Sequence, residues 1–143
     1  MELSDVTKVL GGEKVLRRKV RTRMDMIELS NTGVTKAALV HLVKYLSLTV
    51  NQVAELLPIT ERTIQRYALG KNFNRVVSEQ ILQIAEVAVK GCEVFGTKDK
   101  FLSWIKHPNK ALADKTPMSM LCSRFGAEMV LDELGRIEYG VLS

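Results

Sequence analysis

The stretch from Pro58 to Tyr67, PITERTIQRY, gathers side chains that can read the edges of nucleic-acid bases. Arg62 and Arg66 stand four apart, with Gln65 between them and Glu61 just ahead. On a helix this spacing brings them to neighbouring positions about one turn apart. A guanidinium can give two donors to guanine O6 and N7, a glutamine amide can pair with adenine, and a glutamate can accept from cytosine N4. Thr60 and Thr63 add short hydroxyls of the kind that reach phosphate oxygens. The candidate DNA-contacting set is Thr60, Glu61, Arg62, Thr63, Gln65 and Arg66. The competing reading of the same residues is a structural helical hairpin with a solvated polar face.

Such a face needs elements that hold it, and LTVNQVAELLPITERTIQRYALG supplies them. Thr49 is a good N-cap for a short helix with Val53, Ala54 and Leu57 turned inward. Ala54 is small, as a close helix crossing requires. Pro58 stops the first helix and Ile59 can plug the angle between the two. Thr60 caps the second helix, and Ile64 with Tyr67 or Ala68 faces the core. The pattern predicts a helix-turn-helix, whose second helix presents its N-terminal end to the major groove. Proline stands where many such sequences carry glycine, so the turn is made by a different route.

Charge supports that placement. The chain has 143 residues and a formal net charge of +5. Residues 1–75 carry 13 Lys/Arg against 7 Asp/Glu, whereas residues 76–143 carry 8 against 9. The front half is built to meet a polyanion and the back half is not. Six basic residues crowd Lys14 to Arg23, a segment that reads more readily as a solvated flank than as a contact surface. No apolar run exceeds four residues, far short of a membrane span. The first residues lack the build of a secretory signal, and the expectation is a cytoplasmic protein without a membrane segment. Cys92 and Cys122 are 30 apart, so two buried thiols are expected rather than a disulfide or a metal site.

The remaining periodicity is helical, which predicts an all-α fold. Leu39, Leu42, Val43 and Leu46 form an apolar stripe after Thr35. A long helix is expected from Ser78, its cap, to about Phe95, closed by Gly96. Thr97 caps a short helix that halts before His107-Pro108. Thr116-Pro117 opens another turn, and Ser123 starts a last helix with an apolar seam through Ala127, Val130, Leu134, Ile137 and Val141. A boundary near residues 72–77 gives three parts: an N-terminal arm (1–20), a helix-turn-helix domain (21–75) and a small helical domain (76–143).

The back half carries an ordered set of marks: Phe95-Gly96, Trp104 to Pro108-Asn109, Thr116-Pro117, Gly126, and Leu134 to Tyr139-Gly140. This set resembles the C-terminal domain of the Xre/MbcA/ParS antitoxin family, and the helix-turn-helix ahead of it resembles that family's N-terminal domain. The resemblance covers roughly residues 20–143. It implies a type II antitoxin that binds a RES-domain, NAD-degrading toxin through its C-terminal domain and represses its own promoter as a homodimer. It also implies a toxin contact around Leu134, Arg136, Ile137, Glu138, Tyr139 and Val141.

Read from the residues alone, the back half is blander, with Phe95, Phe101 and Trp104 as core. The apolar residues that run to Leu142 are the feature that suggests a partner there. The alternative function is a free-standing dimeric helix-turn-helix regulator whose back half only dimerises. An enzyme is not expected. The chain has no nucleophile-base-acid set, metal-ligand spacing or phosphate-cradling glycine loop, and no cofactor is implied.

Overall fold

In the computed structural model, which describes residues 2–140, the regular elements are helical, as the periodicity predicts. Ten α-helices follow one another: α1 (Ser4–Val9), α2 (Glu13–Leu16), α3 (Arg23–Thr32), α4 (Lys36–Tyr45), α5 (Val50–Ala54), α6 (Glu61–Arg66), α7 (Arg75–Phe95), α8 (Lys98–Ile105), α9 (Pro117–Met120) and α10 (Arg124–Glu138). A 3-10 turn, Lys110–Leu112, lies between α8 and α9. Short polar side chains start most of them. Thr22, Thr35, Thr49, Thr60, Asn74, Thr97, Thr116 and Ser123 each accept a hydrogen bond from a backbone N–H in the first turn. Each such cap stabilises its helix by roughly 1 kcal/mol. At Thr22 the box is reciprocal, because Asp25 accepts from the Arg21 and Thr22 N–H groups. Those backbone bonds, that from Arg21 foremost, hold the Asp25 carboxyl below its ordinary pKa.

The 21-residue helix α7 is the axis of the molecule. It packs against α1, α3, α8 and α10, and its Ile81, Ile84, Ala85, Val87 and Ala88 are almost wholly buried. The helix starts three residues before the expected position. Asn74 is its cap, while Ser78 is buried and serves elsewhere. The Ser78 hydroxyl accepts from the Val34 N–H (2.9 Å) and donates to the Phe73 carbonyl (3.2 Å), tying α7 to the loop before α4. Gly96, at φ +80°, then ends the helix in the left-handed geometry that a residue without Cβ adopts cheaply.

Residues 2–20 do not hang off the fold as an arm. Val6, Val9, Leu10, Leu16 and Val20 are buried in the same core as α4 and α7. The basic segment is partly used up in holding α3: Arg18 pairs with Glu28 at 3.0 Å, and Arg23 reaches the buried Glu86 of α7 at 2.7 Å. The cysteines also depart from expectation. Cys122 is exposed, and the half-buried Cys92 thiol lies 2.9 Å from the Tyr45 hydroxyl. Burial, followed by this contact, raises the Tyr45 pKa well above the ordinary phenol value. No helix among the described residues is long and apolar enough to cross a membrane.

Candidate nucleic-acid and partner interfaces

Helices α5 and α6 form the expected helix-turn-helix. Thr49 and Gln52 make a capping box at the start of α5, and Val53, Ala54, Leu56, Leu57 and Ile64 fill the space beneath the pair. Pro58 is exposed in the turn, where its missing N–H costs nothing, and Ile59 packs half-buried against the core. Tyr67 takes the inward position after Ile64, stacked on Phe73 with ring centroids 5.1 Å apart, and Ala68 is exposed.

The far end of α6 is held by α4. The Lys36 ammonium donates to the carbonyl of Tyr67 at 2.9 Å and, more weakly, to that of Gln65 at 3.4 Å. A cation there satisfies carbonyls that a helix end leaves without partners and opposes the negative end of its dipole. The loop beyond α6 is fixed by Lys36 N–H to Lys71 carbonyl (3.0 Å) and Ala37 N–H to Leu69 carbonyl (2.9 Å). This six-residue helix is therefore positioned from both ends by its neighbours rather than by its own length.

The six expected DNA-facing residues divide into two groups. Arg62 and Arg66 are exposed and make no hydrogen bond or ion pair among the described residues, so their donors are free. Thr60, Thr63, Glu61 and Gln65 are engaged within the motif. Thr60 caps the Thr63 N–H at 3.2 Å, and its hydroxyl lies 2.9 Å from that of Thr63. The Glu61 carboxylate accepts from Asn51 at 2.7 Å and from Gln65 at 3.1 Å. Glu61 is thus a bracket across the motif, a role its residue type alone does not reveal.

Two further cations adjoin the motif. Lys71 sits over the Tyr67 ring, 4.3 Å from its centroid. Arg17, exposed at the end of α2, places its guanidinium 3.6 Å from where a Cβ on Gly70 would stand. The basic cluster marked Arg17 in the sequence, but only the packing of α2 brings it to this face.

In the C-terminal segment, α10 buries Ala127, Val130 and Leu134 against α7, following the predicted seam. Leu134 is fully buried, so its side chain belongs to the core and is not a partner contact. Ile137 is half-buried. Arg136 pairs with the buried Glu133 at 2.9 Å, and Glu138 with Lys90 of α7 at 2.7 Å. These ions steady the last turns of α10. Tyr139 stands 80 % exposed beyond them, and Val141 lies outside the described residues. The outer face of α10 carries Phe125 (79 % exposed) and Met129 (47 %), which the reading of the buried seam passed over. Their i, i+4 spacing, off that seam, was the available signal. Large exposed apolar side chains grouped on one helix mark a surface suited to a protein partner.

Replacing Lys90 by Met should test how the end of α10 is held. The Glu138 hydrogen bond, outweighing burial, raises the Lys90 pKa. A raised folded-state value gives stability that is present below the unfolded lysine pKa and lost as pH rises through the folded one. The wild-type-to-variant gap is expected to be about 1 kcal/mol or less, because both side chains keep some contact with water. Thermal melts should show it constant from about pH 6 to about pH 9 and closing progressively above about pH 10.4. A gap that ignores alkaline pH would remove this bridge from the account.

Two family models match the chain. Residues 25–86 match the antitoxin Xre-like helix-turn-helix domain, and residues 91–140 match the antitoxin Xre/MbcA/ParS C-terminal toxin-binding domain. An Antitoxin Xre of Photorhabdus laumondii subsp. laumondii is 37 % identical over 84 residues, which is 57 % of this chain and 57 % of that protein. A second Antitoxin Xre, from Yersinia enterocolitica, is 37 % identical over 67 residues, 46 % of this chain and 45 % of its own. The chain thus spans about half the length of these curated relatives. A chain of the M. tuberculosis MbcT-MbcA toxin-antitoxin complex superposes with a TM-score of 0.58 at 19 % identity, covering 87 % of this chain and all of that one. At that identity the likeness concerns the fold.

Proposed function

Because the chain belongs to the Xre/MbcA/ParS antitoxin family, we propose that it neutralises a RES-domain, NAD-degrading toxin by direct binding and represses its own promoter. The observation that carries this reading is that one chain holds two distinct surfaces. A helix-turn-helix with two unpartnered arginines precedes α7, and a segment matched to a toxin-binding domain, with exposed Phe125, Met129 and Tyr139, follows it.

On the partner side, Phe125, Met129 and Tyr139 are the apolar anchors, with the half-buried Ile137 as a further contact. Arg136 and Glu138 act mainly by holding α10 through Glu133 and Lys90. On the DNA side, Arg62 and Arg66 contact bases or phosphates from α6, and Thr60 and Thr63 order its first turn. Arg17 and Lys71 flank the helix as phosphate contacts. One six-residue helix reads too few base pairs for useful specificity, so a homodimer binds two half-sites.

The experiment is co-purification with the product of the neighbouring gene, with a tag on one partner only. A stable complex that retains affinity for the promoter fragment is the expected result. A chain that binds the promoter but never retains the neighbour would instead be a plain dimeric regulator. Promoter affinity should fall steeply with salt, with a log–log slope of about −0.9 for each phosphate neutralised.

A further inference from the structure

Glu61 was expected to read a base, yet its two carboxylate oxygens are both taken by amides of its own chain. Oε2 accepts from Asn51 Nδ2 at 2.7 Å, and Oε1 accepts from Gln65 Nε2 at 3.1 Å. Asn51 belongs to α5, whereas Glu61 and Gln65 lie one turn apart on α6, so the relay crosses the turn of the motif. A carboxylate is an acceptor only, and Gln65 must therefore present its NH2 group, never its carbonyl, to Glu61.

That constraint decides which donors and acceptors Gln65 has left. One N–H is spent on Glu61; the second N–H and the carbonyl oxygen have no partner among the described residues. A donor and an acceptor side by side match adenine, which shows an N7 acceptor and an N6–H donor in the major groove. They do not match guanine, which shows two acceptors. A freely rotating glutamine would lack this bias, because its amide could turn over. Arg62 and Arg66 stand on either side with free donors.

We infer that Glu61 is a positioning residue: through the Asn51–Glu61–Gln65 relay it fixes the Gln65 amide in the orientation that pairs with adenine, and so sets one base of the operator. The inference rests on the DNA-binding part of the proposed function. It assigns the choice of adenine at that base to a residue that touches no base.

The test is competition binding of the full-length chain to the promoter segment it protects, with every base substituted in turn at each position. Wild type should prefer adenine at one position of each half-site by roughly tenfold or more, the range of a good bidentate pair. Gln65→Ala should abolish that preference. Glu61→Ala should reduce it to within about threefold while the preferences set by the arginines persist, on the same scale of discrimination. Glu61→Gln, which can still accept from Gln65 and meet Asn51, should keep most of it. Melting curves like that of wild type would show that each variant is folded.

Three results would overturn the assignment. Glu61→Ala weakening every operator variant by the same factor would mark a purely structural role. Loss of a preference for cytosine with adenine untouched would make Glu61 a direct reader. A wild-type chain that binds no promoter DNA at all would also remove the reading on which the inference rests.

Discussion

Replacing both Arg62 and Arg66 by alanine is expected to abolish detectable promoter binding at physiological salt. A good bidentate arginine–base pair discriminates by about 1–3 kcal/mol, so losing two weakens binding by about 30-fold even at the lower end. The change should be confined to DNA. Both side chains are exposed and lack partners among the described residues, and such surface substitutions usually move stability by less than about 0.5 kcal/mol. Circular dichroism, the melting temperature and toxin retention should match wild type while gel-shift affinity collapses. Loss of both binding activities together would mean that the two faces are not separable.

The largest effect on stability is expected at Gly126. It is the third residue of α10, its N–H accepted by the capping Ser123 hydroxyl at 3.0 Å. A Cβ added there would overlap the backbone oxygen of Met120 at the end of α9. A carbonyl cannot swing aside as a side chain can, so the junction of α9 and α10 would have to move as a unit. Leu121, Ala127 and Val130 beside that junction are fully buried, which leaves no slack. Gly126→Ala should cost about 3 kcal/mol or more, at or beyond the upper end of overpacking penalties. A fall of roughly 10 °C in melting temperature follows for a chain of this size. Gly135, on the same helix, supplies the control. Its Cβ would meet nothing nearby, so Gly135→Ala should stabilise by up to about 1 kcal/mol. Equal melting of the two variants would show that the close approach at Gly126 is not a constraint.

What could be read from the chain was what depends on neighbours in sequence. The caps at Thr49, Thr60, Thr97, Thr116 and Ser123 are local chemistry, and each lies where its residue type placed it. The buried stripe of α10 followed from a period of three and four. What could not be read were pairings across the fold. Ser78 looks like a cap until Asn74 takes that role and Val34 claims its hydroxyl. Glu61 looks like a base reader until Asn51, ten residues earlier, donates to it. Leu134 and Tyr139 both fell within the expected contact. Only the position of α7 decides that one is core and the other 80 % exposed. Residues 1–20 read as an arm because their helices are too short to show a period; it is packing on α4 and α7 that orders α1 and α2.

The most direct test of the two-faced account is the NAD content of cells expressing the proposed partner, a RES-domain toxin. Each culture would carry an empty vector, the wild-type chain, or the chain with Arg62 and Arg66 replaced by alanine, all expressed from an unrelated promoter. The account predicts that NAD collapses with the empty vector and is held by the wild-type chain and by the arginine variant alike. NAD that collapses in the presence of soluble, folded wild-type chain would contradict it, and would leave a DNA-binding regulator with an antitoxin's fold.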